Sequence, residues 1–258
     1  MVTAIEFDLL PIAEVFGGAS FWPVEASETA LSTWLDWTRN APESVTTSFR
    51  IMNMPPMDEV PAPIRGKNLV VIDGVATDQA DGQALVAQLE GIGEPVLSQW
   101  GPMPSPAVAR LHGDPEEPVP AIGGGALIDD VDDEIVSTIE EIAGAQSGCS
   151  LLAVELRQLG GALRRPDESG GVASHIDAEF ISFGVGLAMD PGLAARTQED
   201  LGRLMEGLAQ WQNGRSFLNF ANPDVACATC FSDDSVEALK AIRHEYDPEG
   251  LYLAPLAI

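Results

Sequence analysis

The chain has 258 residues, 40 acidic and 13 basic, and a formal net charge of −27; so negative a surface repels phosphate backbones and acidic headgroups, which argues against nucleic acid and membrane surfaces as partners and suits a solubility feature or a salty cytoplasm. Its hydrophobic content of 45% is enough for a real core, but no apolar run is long enough for a membrane-spanning helix. The first residues lack the basic and apolar regions of a signal peptide, so a cytoplasmic location is expected, and three cysteines (Cys149, Cys227 and Cys230) do not make a disulfide framework.

Thr3 to Leu10 alternates as a strand does, with Ile5, Phe7 and Leu9 on one side and Glu6 and Asp8 on the other, and Pro11 breaks it. Val15 to Val24 reads as a second strand. Ser27 caps a helix from Glu28 to Arg39, whose apolar side holds Ala30, Leu31, Trp34, Leu35 and Trp37. Ser44 to Asn53 and Asn68 to Ala76 read as strands on either side of a proline-marked loop. Asp78 caps a helix with Ala84, Leu85, Leu89 and Ile92 along its apolar stripe, and Glu94 to Trp100 is a short strand. Leu111 to Gly125 has no clear period and reads as a loop. Asp132 caps a helix to Ala143, and Ser150 to Gln158 is a strand. Arg164 to Val172 is a polar loop, Asp177 to Met189 a strand, and Pro191 opens a helix reaching about Gln212. Phe217 to Phe220 reads as a short strand. A helix from Ser235 to Glu245 then stops at Asp247-Pro248, because proline cannot continue a helix and disfavours the α region in the residue before it.

No repeated βαβ unit, no internal repeat and no Gly-x-Gly-x-x-Gly turn is visible, so the predicted fold is α+β: one antiparallel sheet with helices packed on one face, in a single domain over residues 1–258. Gly123-Gly124-Gly125 precedes Asp129-Asp130-Val131-Asp132-Asp133, whose four carboxylates repel phosphate, so the glycines read as a flexible turn. Cys227-Ala228-Thr229-Cys230 lacks a βαβ setting and a second ligand pair, so no metal site is expected. Strand period places Glu155 and Arg157 on one face, either as a salt bridge or as part of a pocket. Glu179 opens the strand after His175 and is the candidate general base, with Glu155, Arg157 and His175 as the other pocket candidates.

Several segments together resemble the berberine-bridge-enzyme-like FAD-linked oxidases. Phe217-Leu218-Asn219-Phe220 is similar to that family's aromatic-x-Asn-aromatic strand, and Tyr246-Asp247-Pro248-Glu249-Gly250-Leu251-Tyr252 to its helix-ending Tyr-Asp-Pro turn. Glu155-Leu156-Arg157 followed by Gly160-Gly161-Ala162 resembles an internal family segment. His175-Ile176-Asp177-Ala178 resembles a His-Arg-Asp-Ala stretch, with isoleucine in place of arginine, and Met1 to Pro11 resembles the strand that follows a flavin motif. The resemblance implies an FAD cofactor approached by Asn219, with Phe217 and Val2 beside it. It also implies a small-molecule substrate oxidised at a carbon next to a hydroxyl or amine. The family's FAD-binding domain has no counterpart in these residues. The expectation is therefore a substrate-binding portion, not active alone, whose segment 217–258 docks on an FAD domain. A separate FAD-domain protein or a homodimer would cover the exposed face. The alternative is a non-catalytic binding module that has lost the flavin.

Overall fold

The computed structural model describes residues 3–113, 118–167, 170–221 and 227–252. Seven strands form one sheet: β1 (Glu14–Pro23), β2 (Val45–Asn53), β3 (Asn68–Ala76), β4 (Leu97–Pro104), β5 (Ala121–Ile128), β6 (Ala153–Gln158) and β7 (Phe180–Leu187). Their order is β4-β1-β3-β2-β6-β7-β5, and every pairing is antiparallel. The helices are α1 (Ser27–Thr38), α2 (Gln79–Leu89), α3 (Glu134–Ala143), the single turn α4 (Gly161–Arg164), α5 (Pro191–Gly207) and α6 (Asp233–Tyr246).

The strand order contains a repeat that the sequence does not display. β1-α1-β2-β3-α2-β4 is a split βαβ unit with spatial order 4-1-3-2. β5-α3-β6-β7-α5 repeats it up to the last strand, and the two units meet where β2 pairs with β6. Period two then sorts the side chains. Phe16, Trp22, Phe49, Ile51, Val70, Ile72, Val154, Leu156 and Phe180 point to one face, where α1, α2, α3 and α5 cover them in a single core. Trp34 of α1 is fully buried at its centre, packed at a tilt between Phe49 of the first unit and Phe180 of the second at ring separations of 6.0 and 5.3 Å. Its indole N–H donates to the Thr47 hydroxyl, so the polar end of the ring is satisfied.

Several local expectations are corrected. Thr3 to Leu10 forms no strand: Ile5, Phe7 and Leu9 are exposed, since alternation without a neighbouring strand leaves the backbone unpaired. β4 runs on through Pro102 and Pro104, which an edge strand tolerates. The glycine run at 123–125 is not a turn but lies inside β5. A Cβ on Gly125 would stand 2.2 Å from the Ser182 carbonyl oxygen, so close strand approach requires glycine there. Leu218–Phe220 forms a 3-10 turn instead of a strand. The expected stop after α6 is present: the Asp247 carboxylate accepts from the N–H groups of Leu251 and Tyr252.

Candidate functional site

The sheet face opposite the helices carries both the charged and the aromatic side chains of interest. On β2, β3 and β6 the residues Arg50, Asp73 and Glu155 point to this face and are almost fully buried, as is Ser48. Arg50 donates through Nη2 to Asp73 Oδ2, and the Ser48 hydroxyl donates to Asp73 Oδ1 at 2.7 Å. Arg157 donates from Nε to Glu155 Oε1 at 2.7 Å.

His112, on the loop between β4 and β5, closes the cluster. Its carbonyl oxygen accepts from Arg50 Nη1 at 3.1 Å, its Nδ1 lies 3.3 Å from Asp73 Oδ2, and its Nε2 lies 3.2 Å from Glu155 Oε1 and 2.9 Å from Arg157 Nη2. A guanidinium only donates. A neutral His112 therefore accepts from Arg157 at Nε2 and donates to Asp73 at Nδ1, whereas a protonated ring donates to both carboxylates. Two guanidiniums balance two carboxylates, which is the condition for keeping charges out of water. Burial pushes the Glu155 carboxyl up, but the hydrogen bonds from His112 and Arg157, with their charges, outweigh it and bring the group down to about 2.

Beside this cluster lies an aromatic patch. Phe183 of β7 and Phe220 of the 3-10 turn are 4.4 Å apart between ring centres, and Phe217 meets Phe220 edge-on at 5.2 Å. The Arg157 guanidinium lies 5.5 Å from the centre of the Phe220 ring. Leu127 and Ile181 lie beneath Phe217 and Phe220.

The sequence candidates thus separate. Glu155, Arg157 and Phe217 come together on the open face. Asn219 lies next to them in the chain and is exposed on the turn. Glu179 does not join them: it precedes β7, its Oε2 accepts from the Val131 N–H at 3.3 Å, and it lines a cavity near the end of α1. His175 is exposed on the loop, with Nδ1 3.3 Å from the Ser174 hydroxyl, and takes no part in the cluster. Val2 lies outside the described residues. Sequence reasoning missed Arg50, Asp73 and His112. The first two carried a signal, a charge inside each of two strands otherwise rich in apolar residues; His112, on an aperiodic loop, carried none.

The open face suits the ring of a flavin in part. Phe183 and Phe220 offer an apolar surface and Arg157 a cation at its edge, while the glycines at 123–125 are paired inside β5 and form no phosphate cradle. Cys227 and Cys230 end a short 3-10 turn, and burial above all pushes the Cys149 thiol up, away from the reactive thiolate. No helix among the described residues is long and apolar enough to cross a membrane.

No family model matches the chain, and no curated protein matches it. Solved structures do. A BBE-like 1 protein of Physcomitrella patens superposes with a TM-score of 0.74 at 12% identity, covering 96% of this chain and 54% of that one. A chitooligosaccharide oxidase gives 0.71 at 12% identity over 95% and 55%. The berberine bridge enzyme of Eschscholzia californica gives 0.71 at 9% identity over 95% and 55%. The chain spans about half the length of the structures it matches, and its fold is that of the corresponding half of berberine-bridge-enzyme-like oxidases, as the terminal motifs had led one to expect.

Proposed function

We propose that the chain is the substrate-binding portion of a flavin-dependent oxidoreductase that takes a hydride from an alcohol or amine carbon. The supporting observation is the helix-free sheet face, where a closed charged cluster adjoins an aromatic patch, in a fold shared with half the length of known oxidases. FAD, when bound, would accept the hydride. The residues of this chain bind and orient. Phe183 and Phe220 supply a platform for a flat ring. Arg157, held by Glu155, presents its remaining donors to an oxygen of ligand or substrate. Glu155, with its carboxyl at about 2, stays ionised and positions Arg157 instead of taking a proton.

Two uncovered surfaces point to a partner for the rest of the cofactor. The segment with Ile5, Phe7 and Leu9 is exposed, and on α6 Ile242 and Tyr246 are exposed while Val236 and Leu239 are half-buried. A separate FAD-domain protein seated on these surfaces, or a second copy of the chain, would hold the nucleotide.

One observation favours the second reading, a non-catalytic binding module. Both His112 ring nitrogens face groups of the cluster, and the carboxylates of Asp73 and Glu155 are ion-paired, so the cluster holds no side chain free to take a substrate proton. FAD added to the protein at millimolar concentration, with amide shifts followed by NMR, separates the two readings. The flavin-dependent reading expects perturbation at Arg157, Phe183 and Phe220. Shifts confined to the helix-covered side, or none, would overturn it and leave the module that has lost the flavin.

A further inference from the structure

A second site lies away from the open face. At the end of the sheet where β2 and β7 begin and β6 finishes, a cavity of about 440 Å³ opens between the last turns of α1, the segment 41–46 and the turn from β6 into α4. That is the small end of the usual range for ligand pockets. Buried Leu35, Val45 and Phe180 supply its apolar wall.

The charges around it are unequal in how far they are already satisfied. Arg39 binds Asp36 and Asp133, each at 2.8 Å. Arg164 binds Asp177 at 3.0 Å and lies 3.7 Å from Asp129. Glu43 is gripped by both terminal nitrogens of Arg165. Glu179 differs: its Oε2 accepts one backbone N–H, from Val131, and among the described residues it has no cationic partner. Counting the lining groups with their ion-pair partners, three guanidiniums face six carboxylates. The net charge of −27 adds a long-range field of the same sign. An anion would find each arginine taken, while a cation would find one carboxylate waiting beside an apolar wall.

We propose that this cavity binds a small organic ammonium, its charged nitrogen on the Glu179 carboxylate and its apolar body against Leu35, Val45 and Phe180. The assignment does not depend on any flavin function of the open face.

The test titrates the full chain with phenethylammonium chloride, with neutral 2-phenylethanol and anionic 3-phenylpropionate as controls, followed by amide shifts and calorimetry. The ammonium is expected to bind at least about tenfold more tightly than either control, the worth of one charge-assisted contact, and more weakly as salt rises. Shifts should fall in residues 38–46 and 159–164. Glu179→Gln, whose amide oxygen can still accept from Val131, should lose about tenfold in affinity. Ala162→Trp, at an exposed lining position, should block binding without touching the carboxylate. Equal affinity for the three probes, unchanged affinity in Glu179→Gln or Ala162→Trp, shifts confined to Phe183 and Phe220, or no saturation by about 10 mM probe would each overturn the assignment.

Discussion

The two halves of the sheet start from the same topology and end differently. In the first, β4 closes the unit by pairing with β1 along eight residues. In the second, the equivalent place beside β5 is taken by an irregular segment: Gln212 bridges Ile128, and Leu127 exchanges backbone hydrogen bonds with Asn213 and Arg215. The chain then turns across the helix-free face as Phe217 and Phe220 before α6, which has no fully buried residue. In the finished βαββαβ unit β4 covers the edge of β1, and the outer edge passes to β4, which Pro102 and Pro104 blunt. The second unit, which among the described residues has no fourth strand, releases that stretch of chain to build the candidate site, and leaves a helix with Ile242 and Tyr246 exposed and Val236 and Leu239 only half-buried.

The sharpest way to break this comparison is at the residue that joins the halves. Trp34→Ala should cost about 4 kcal/mol and lower the midpoint of a single denaturation transition; two separate transitions in the unaltered protein would show that the halves do not share one core. Next comes acid. The Glu155 carboxyl is depressed from 4.5 to about 2 in the folded chain, so its contribution is complete above pH 4.5 and disappears as the pH falls through about 2. Between those values the protein should lose about 3 kcal/mol that Glu155→Gln does not lose, as read from urea melts at each pH; parallel loss in both proteins would mean that the cluster does not hold the sheet.

Smaller effects test whether the halves obey the same packing rule. A Cβ on Gly18 in β1 would stand 1.9 Å from the Gln99 carbonyl oxygen, and one on Gly125 in β5 2.2 Å from that of Ser182. Gly18→Ala and Gly125→Ala should each cost about 2 kcal/mol, while Gly101→Ala, with nothing within 4 Å, should stay within about 0.5 kcal/mol. A much milder Gly125→Ala would place strand β5 further from β7. The smallest effect is expected at the uncovered tail. Tyr246 is 73% exposed, so Tyr246→Ala should change stability by less than about 0.5 kcal/mol, and a larger loss would mean that α6 is docked in solution.

How much of this was legible depends on where each signal lies. The spacing of Ala30, Leu31, Trp34 and Leu35 located α1, and the alternation around Glu155 and Arg157 placed both on one face. The same alternation misled at Ile5, Phe7 and Leu9, since pattern records a side chain's preference and not the presence of a partner strand. β5 was missed because glycines carry no periodic side-chain signal. Glu179 stands one residue ahead of β7, so the strand's alternation does not govern it.

By itself the sequence determined the α+β class, most element boundaries, the acidic surface and the terminal motifs that resemble an oxidase family, because these are local properties of spacing, charge and capping. Only the tertiary structure decided that two repeated units share one sheet, that Arg50, Asp73 and His112 meet Glu155 and Arg157, and that Glu179 belongs to a different cavity. Such meetings join residues tens of positions apart, and strand order, which sets them, is chosen by burying one common core.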